Sequence, residues 1–221
     1  MTTQIVEQAL QSLREGRPVL VLDDASRENE GDVILAAQTI TPAWMGWTIR
    51  HTSGYVCAPM PASWADRLQL PLMVVNNADP FRTAYTVTVD AVVGVSTGIS
   101  ATDRARTVSL LGASDTVAGD LIRPGHVVPL RARDGGVLER PGHTETAVDL
   151  CRLAGLTPVG AIAELVDDEG EMLRAPEVEA LGREFDLVVL TVADLINYRR
   201  QREMPTAKTQ TPQRDRAGST V

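Results

Sequence analysis

Cysteine and basic charge are scarce in this chain, and long apolar runs are missing. The two cysteines, Cys57 and Cys151, lie far apart and in no Cys-x-x-Cys pair. That pattern excludes a disulfide scaffold and a thiolate zinc site, and it suits a reducing, cytoplasmic setting. Acidic residues outnumber basic ones 29 to 21 for a formal net charge of -8, which argues against broad binding of nucleic acid or anionic membranes. No run approaches a membrane span, and the opening MTTQIVEQALQSLREG has no basic flank followed by an apolar core, so neither export nor anchoring is expected. A small anionic substrate remains possible if it meets a local arginine cluster.

The 221 residues suffice for one substantial domain with a real core. Ile5, Val6, Ala9, Leu10 and Leu13 recur at helical spacing, and Val19 to Leu22 reads as a buried strand ending in Asp23-Asp24. A second apolar run from Val33 to Ala37 precedes a helix opened by Thr41-Pro42. Strands are expected near Tyr55 to Ala58, Tyr85 to Val89, Val159 to Val166 and Leu187 to Val192. Helices are expected over Pro61 to Leu68, from a cap at Thr102 or Asp103 through Leu111, over Thr144 to Ala154, over Glu177 to Phe185 and from Ala193 to about Arg202. Strands and helices mix without a strict βαβ rhythm, which predicts a single α+β or mixed-sheet α/β domain of layered sheet and helices, not a doubly wound one. The domain is placed at 1–202, and the polar, aperiodic residues 203–221 are expected to be disordered.

Two of the three histidines sit in a doubled corner, RPGHVVPLRARDGGVLERPGH, from Arg123 to His143. Asp134-Gly135-Gly136 is a strong hairpin signal between apolar runs. Such a hairpin would set His126 roughly opposite Thr144, beside His143, with Arg123 and Arg140 close by. The repeat alone fits two solvated Pro-Gly turns equally well. The second corner also leads into a helix N-terminus, a natural site for an anion.

The stretch DDASRENEGD, Asp23 to Asp32, carries five carboxylates against one arginine just after a buried strand. Glu28, Glu30 and Asp32 alternate, so an extended backbone would aim them to one side. Clustered carboxylates invite a hard divalent cation such as magnesium or manganese, although a charge run by itself is more often a solvated loop. Glu164 interrupts an apolar strand; burial there would raise its pKa and suit it to proton transfer, with a strand-end ion pair as the alternative. Cys57 reads as a small buried hydrophobe and His51 as structural. Within STGISATDRARTV, Ser96 to Val108, a Gly-Ser-Thr turn could present backbone amides to a ligand. Together these features point to a metal-assisted reaction on a small phosphorylated molecule.

From the first helix to about Tyr198 the sequence resembles the 3,4-dihydroxy-2-butanone 4-phosphate synthases of riboflavin biosynthesis. The carriers are DDASRENEGD, IRHTSGYVC, STGISATDR, RPGHVVPLRA, GGVLERPGHTE and the strand bearing Glu164. Departures are Ala25-Ser26 in place of an acidic pair, Val75 where glutamate is common and Pro141 where glycine is common, so the loop from Asn76 to Arg82 is expected to differ in shape. The resemblance implies a lyase that turns ribulose 5-phosphate into the butanone phosphate and formate with a pair of magnesium ions, replaceable by manganese. By resemblance, Glu28 and His143 are metal ligands, and Arg27, Glu30 and Asp32 line the substrate pocket. Arg140 and Thr144 match phosphate-binding positions, Pro141 and Gly142 between them are expected to bind substrate, Thr102 and Asp103 match pocket positions, and His126, Glu164, Asp32 and Cys57 match the catalytic set. It further implies a homodimer with pockets at the interface. From the tail, no GTP-processing second domain is expected in this sequence. Another metal-dependent sugar-phosphate isomerase or aldolase-like lyase, and a non-catalytic sensor of metal or phosphosugar, remain open; formate release separates the first and turnover the second.

Overall fold

The structure is a computed structural model, described over residues 2–203. In chain order its elements are α1 (Thr2–Arg14), β1 (Val19–Leu22), β2 (Gly31–Ala36), α2 (Pro42–His51), β3 (Cys57–Pro61), α3 (Ala62–Arg67), β4 (Val89–Ala91), α4 (Ala101–Gly112), β5 (Leu121–Ala132), α5 (His143–Leu153), β6 (Gly160–Glu164), α6 (Ala175–Phe185), β7 (Val188–Thr191) and α7 (Val192–Glu203). The tail expected to be disordered lies, from 204 on, outside the described residues.

The strands form one mixed sheet in the order β4-β5-β3-β6-β2-β1-β7. The pairs β1–β7 and β3–β5 are parallel and the others antiparallel. Helices cover both faces, so the central strands are apolar on both sides, as the uninterrupted runs in the sequence require. Val19 and Val21 of β1 pack with Val6, Leu10 and Leu13 of α1 and Leu195 of α7 on one face. Leu20 and Leu22 face Trp47 of α2 and Val178 of α6 on the other. Leu10 and Leu13 are fully buried, and truncating either to alanine is a change that costs about 2–5 kcal/mol in such cores. The mixed sheet between helical layers is the architecture expected from the sequence.

Three local expectations fail. No hairpin forms at Asp134-Gly135-Gly136, because β5 has no free edge: β3 flanks one side, and the other pairs with β4 and, further on, with the Ala84–Thr86 segment. The chain makes a short 3-10 turn at Gly136–Leu138 and returns as α5. The polar groups a return strand would pair are satisfied by helices: Val137 N–H donates to Asp149 Oδ2 at 2.9 Å, and Arg199 donates to the Gly135 carbonyl at 2.8 Å. The cap of α4 is Ser100, whose hydroxyl accepts from Asp103 N–H, one turn before the residues expected. The stretch from Tyr85 to Val89 forms isolated bridges from Tyr85 and Thr86, and only Val89 enters a strand, β4.

The topology gathers the polar ends of several elements at one place. Asp23 follows the end of β1, Gly31 opens β2, Cys57 opens β3, Glu164 closes β6 and His143 begins α5.

Candidate active site

The acidic loop is organised by its first residue. The Asp23 side chain is fully buried; Oδ1 accepts from Glu30 N–H at 2.8 Å, and Oδ2 accepts from Glu28 N–H and Arg27 Nη1, both at 3.0 Å. One carboxylate therefore fixes three residues of the loop. Asn29 is left-handed at φ 57°, so the backbone is not extended through Glu28 to Asp32 as expected. Arg174 clamps the kink by donating to the Glu28 and Asn29 carbonyls. Glu28, Glu30 and Asp32 nevertheless line one cavity, with Arg27, Cys57, Arg140, His143, Thr144 and Glu164. Gly31 matters here, since a Cβ would stand 2.6 Å from Val178 Cγ2 and push β2 off α6.

Asp32 and Glu164 are direct partners across the β2–β6 pair. Burial, and then the charges of Glu164 and Glu28, push the Asp32 carboxyl well above the usual carboxylate range. Burial also raises Glu28, opposed by the Arg27 guanidinium it pairs with, and raises Glu30 with help from Glu28. Burial lowers the His143 imidazole, leaving it neutral at pH 7, the form that binds a metal. Its Nδ1 is 3.3 Å from Asp32 Oδ1 and 4.0 Å from Glu28 Oε2.

Asp32 Oδ1 is buried without a hydrogen-bond partner. An orphaned carboxylate oxygen among raised carboxyls is costly unless something positive fills the space. Carboxylate oxygens with one neutral imidazole are a hard donor set that fits magnesium or manganese. No group of three or more His, Cys, Asp or Glu side chains among the described residues could hold a metal alone.

Beside the acid cluster, α5 begins at His143 with Gly142 as its N-cap. A Cβ at Gly142 would lie 2.6 Å from Arg140 Nη1 and 3.0 Å from Arg27 Nη2. The guanidiniums that converge are thus those of Arg27 and Arg140. Arg123 does not join them; it is spent on the backbone carbonyls of Ala118, Leu121 and Leu68. Arg140 donates to the buried Glu145 carboxylate at 2.7 Å and to the Phe81 carbonyl and Thr83 hydroxyl, tying the loop after Asn76 to α5. Pro141 faces a neighbouring groove beside Phe81 and Ile196.

Glu164 ends its strand half-buried and accepts from Ser53 Oγ at 2.8 Å. Burial, followed by the charges of Glu164 and Asp32, holds the Cys57 thiol well above its usual pKa, so it stands in the cavity as a neutral donor. The rings of Tyr55 and Tyr85, 6.3 Å apart, close the far wall. His51 is structural as expected, stacked on Trp47 and bonded to its carbonyl.

His126 does not meet His143, because the hairpin that would pair them is absent. It shares a face of β5 with Val128 and Leu130, and Leu130 lines the cavity, but His126 lies beyond it. Thr102 is exposed and also outside. The Asp103 carboxylate accepts from Ser96 N–H and Oγ and from Gly98 N–H, bonds that hold its pKa low and shape the turn before α4. Sequence reasoning missed Tyr55, Thr83 and Tyr85 as cavity residues, Ser53 as the partner of Glu164 and Asp90 as the partner of His126. Asp90 carried a usable signal, since it interrupts the apolar run Val89-Asp90-Ala91 much as Glu164 interrupts β6.

Residues 7–198 match the family model for 3,4-dihydroxy-2-butanone 4-phosphate synthase. The riboflavin biosynthesis protein RibBA of Salinispora arenicola is 58% identical over 198 residues, covering 90% of this chain and 47% of that protein. RibBA of Mycobacterium tuberculosis is 54% identical over 200 residues, again 90% of this chain and 47% of that one. The chain thus spans about half the length of these curated relatives. Among solved structures, a 3,4-dihydroxy-2-butanone 4-phosphate synthase in complex with two magnesium ions superposes with a TM-score of 0.87 at 47% identity, covering 90% of this chain and 97% of that one. The Candida albicans synthase gives 0.81 at 43% identity, covering 87% and 96%. With a match over nearly all its described length and relatives of this similarity, the chain belongs to the 3,4-dihydroxy-2-butanone 4-phosphate synthase family.

Proposed function

We propose that the chain converts D-ribulose 5-phosphate to L-3,4-dihydroxy-2-butanone 4-phosphate and formate with magnesium, as a lyase of riboflavin biosynthesis. The observation that carries this reading is the meeting in one cavity of an acid cluster with an orphaned oxygen, Glu164 opposite it, and the Arg140–Thr144 anion corner. Glu28 and His143, beside Asp32, would hold the metal, two ions per site by analogy with the magnesium-bound relative, and manganese would substitute. Bound there, it supplies Lewis acidity to the vicinal oxygens of the ketose.

The chain's own groups do the rest. Arg27, Arg140, Gly142 and Thr144 at the start of α5 seat the phosphate, and Pro141 sets the turn into that corner. Glu164, steadied by Ser53, takes the proton from the third carbon at its carboxylate. Glu30 and Asp32 orient the substrate hydroxyls, and the protonated Cys57 thiol donates toward them. Loss of the first-carbon hydroxyl requires an acid, and His126 is assigned to proton transfer.

His126 does not line its own chain's cavity. Exposed apolar side chains flank the segments that hold it: Ile122 pairs with Asp90, Val92 and Val93 follow β4 and Ile99 follows Gly98, all about half exposed or more. Exposed apolar side chains of this kind suit a protein contact, and a second copy packed there would make a homodimer in which His126, with Thr102 and Asp103, completes the partner's site. No helix among the described residues is long and apolar enough to cross a membrane; a cytoplasmic setting is part of this proposal. The test is to incubate purified protein with ribulose 5-phosphate and magnesium and measure formate. Stoichiometric formate supports the lyase, whereas isomerised pentose phosphate without formate replaces it by an isomerase on the same scaffold.

A further inference from the structure

The buried carboxylate of Asp90 has no place in the cavity, yet it is built around one imidazole. Asp90 Oδ2 lies 2.7 Å from His126 Nδ1, and Asp90 Oδ1 accepts the backbone N–H of His126 at 2.9 Å. The Asp90 side chain is 9% exposed and the His126 side chain 42%. One edge of the ring is thus held from below while the other stays open. No hydrogen bond to Nε2 is made among the described residues.

The surroundings are shaped to keep this pair. The β4–β5 register shifts between Val89 and Asp90, which aims the carboxylate at the ring. Gly98, at φ 87°, closes over the pair so tightly that a Cβ would stand 2.0 Å from Asp90 Oδ2 and 2.7 Å from His126 Nδ1. Only glycine fits that spot. The turn carrying Gly98 is fixed by the Asp103 carboxylate. Gly125, next to His126, approaches β4 so closely that a Cβ would meet the Val89 carbonyl carbon at 2.0 Å. The buried Arg104 of α4 is near enough to sense the Asp90 charge. Asp90, Gly98, Asp103 and Gly125 together hold one ring in one pose.

We propose that Asp90 is the positioning residue of His126: it fixes the tautomer with the proton on Nδ1, so that Nε2 is the bare atom that exchanges a proton with substrate. The inference rests on the reading of His126 as a proton-transfer group and adds what orients it. In Asp90→Asn the side-chain oxygen can keep the His126 backbone N–H, which turns the amide NH2 toward Nδ1. That nitrogen must then accept, moving the ring proton to Nε2 and blocking it as a base.

The chain has three histidines, so nitrogen-15 labelling of histidine resolves each ring by NMR. The wild-type protein should show His126 with the proton on Nδ1, and Asp90→Asn should show it on Nε2. Turnover of Asp90→Asn should fall by about 10²-fold or more, the scale of a lost general acid or base, with KM, magnesium affinity, melting temperature and oligomeric mass little changed. Asp90→Asn should also add no further loss to His126→Asn, because both disable the same ring. A wild-type ring protonated on Nε2 overturns the proposal, as does full turnover in Asp90→Asn when His126→Asn is inactive. Losses that multiply in the double variant would make Asp90 merely structural. Full turnover in His126→Asn would instead remove the underlying reading of His126, and the proposal with it.

Discussion

Asp32 and Glu164 sit directly opposite each other on neighbouring antiparallel strands, two carboxylates where a sheet would ordinarily place a complementary pair. Like charges at facing positions destabilise a sheet, and Asp32 adds a buried oxygen that accepts no hydrogen bond, with only the neutral His143 imidazole 3.3 Å away. The fold keeps a local electrostatic strain at the centre of its cavity, and that strain sets up the first prediction.

In metal-free protein, Asp32→Asn should raise the melting temperature at neutral pH. The sign follows from linkage: Asp32 has a raised pKa in the fold, so the folded state binds its proton more tightly than the unfolded chain. The resulting stability is present below the ordinary aspartate value and lost as pH rises through the raised one. The advantage of the variant should therefore shrink toward acid pH. Calorimetry over a pH series checks this, and a variant less stable at pH 7 would mean that Asp32 is not strained.

Chelator should abolish turnover, and magnesium or manganese should restore it. Glu28→Gln keeps the shape and its contact with the loop but loses the charge, so magnesium affinity measured by titration calorimetry should drop at least about tenfold, or about 1.4 kcal/mol. Unchanged affinity would take Glu28 out of the metal shell.

Arg140→Lys retains the charge but loses the fork that spans Glu145, the Phe81 carbonyl and Thr83. Substrate affinity should weaken by about 1–3 kcal/mol, the range for a charged hydrogen bond. An unaltered KM would place the phosphate elsewhere.

Glu164→Gln should bind substrate and metal nearly normally yet lose about 10²-fold or more in turnover. It should also stop exchange of the third-carbon proton with solvent deuterium. Exchange at the normal rate with formate release abolished would move Glu164 to a later step.

Mixing His126→Asn with Glu164→Gln tests the composite site. If His126 serves the partner's cavity, random exchange of subunits gives half mixed dimers, each with one intact site, and about one quarter of wild-type activity returns. No recovery after exchange would assign each imidazole to its own chain.

Much of this was legible in the sequence. The uninterrupted run of β1 followed by DDASRENEGD announced a strand ending in an acid site, and Glu164 stood out because nothing else in its strand is polar. Those signals are local, carried by residues close in the chain. The failures were non-local. Whether Gly135 turns a hairpin depends on which edge of β5 is free, and that is decided by β3, β4 and the Tyr85 segment. Arg123 and Arg140 look alike in their repeated corners, yet one caps carbonyls and the other guards the cavity, because only Arg140 has Glu145 beneath it. Asp23 was visible as an acid but not as the organiser of its loop, since that role lies in two backbone N–H bonds.

The exposed apolar side chains flanking β4 and β5 would have a consequence for regulation if they form the proposed contact. If an imidazole must be lent by a neighbour, an isolated chain is a well-folded but idle protein, and catalysis begins only when chains meet. Below the dissociation constant of the pair, the rate would rise with the square of the amount of protein present. Abundance would then act as a threshold rather than a dial, and Val92, Val93, Ile99 and Ile122, which touch no substrate, would set where that threshold lies.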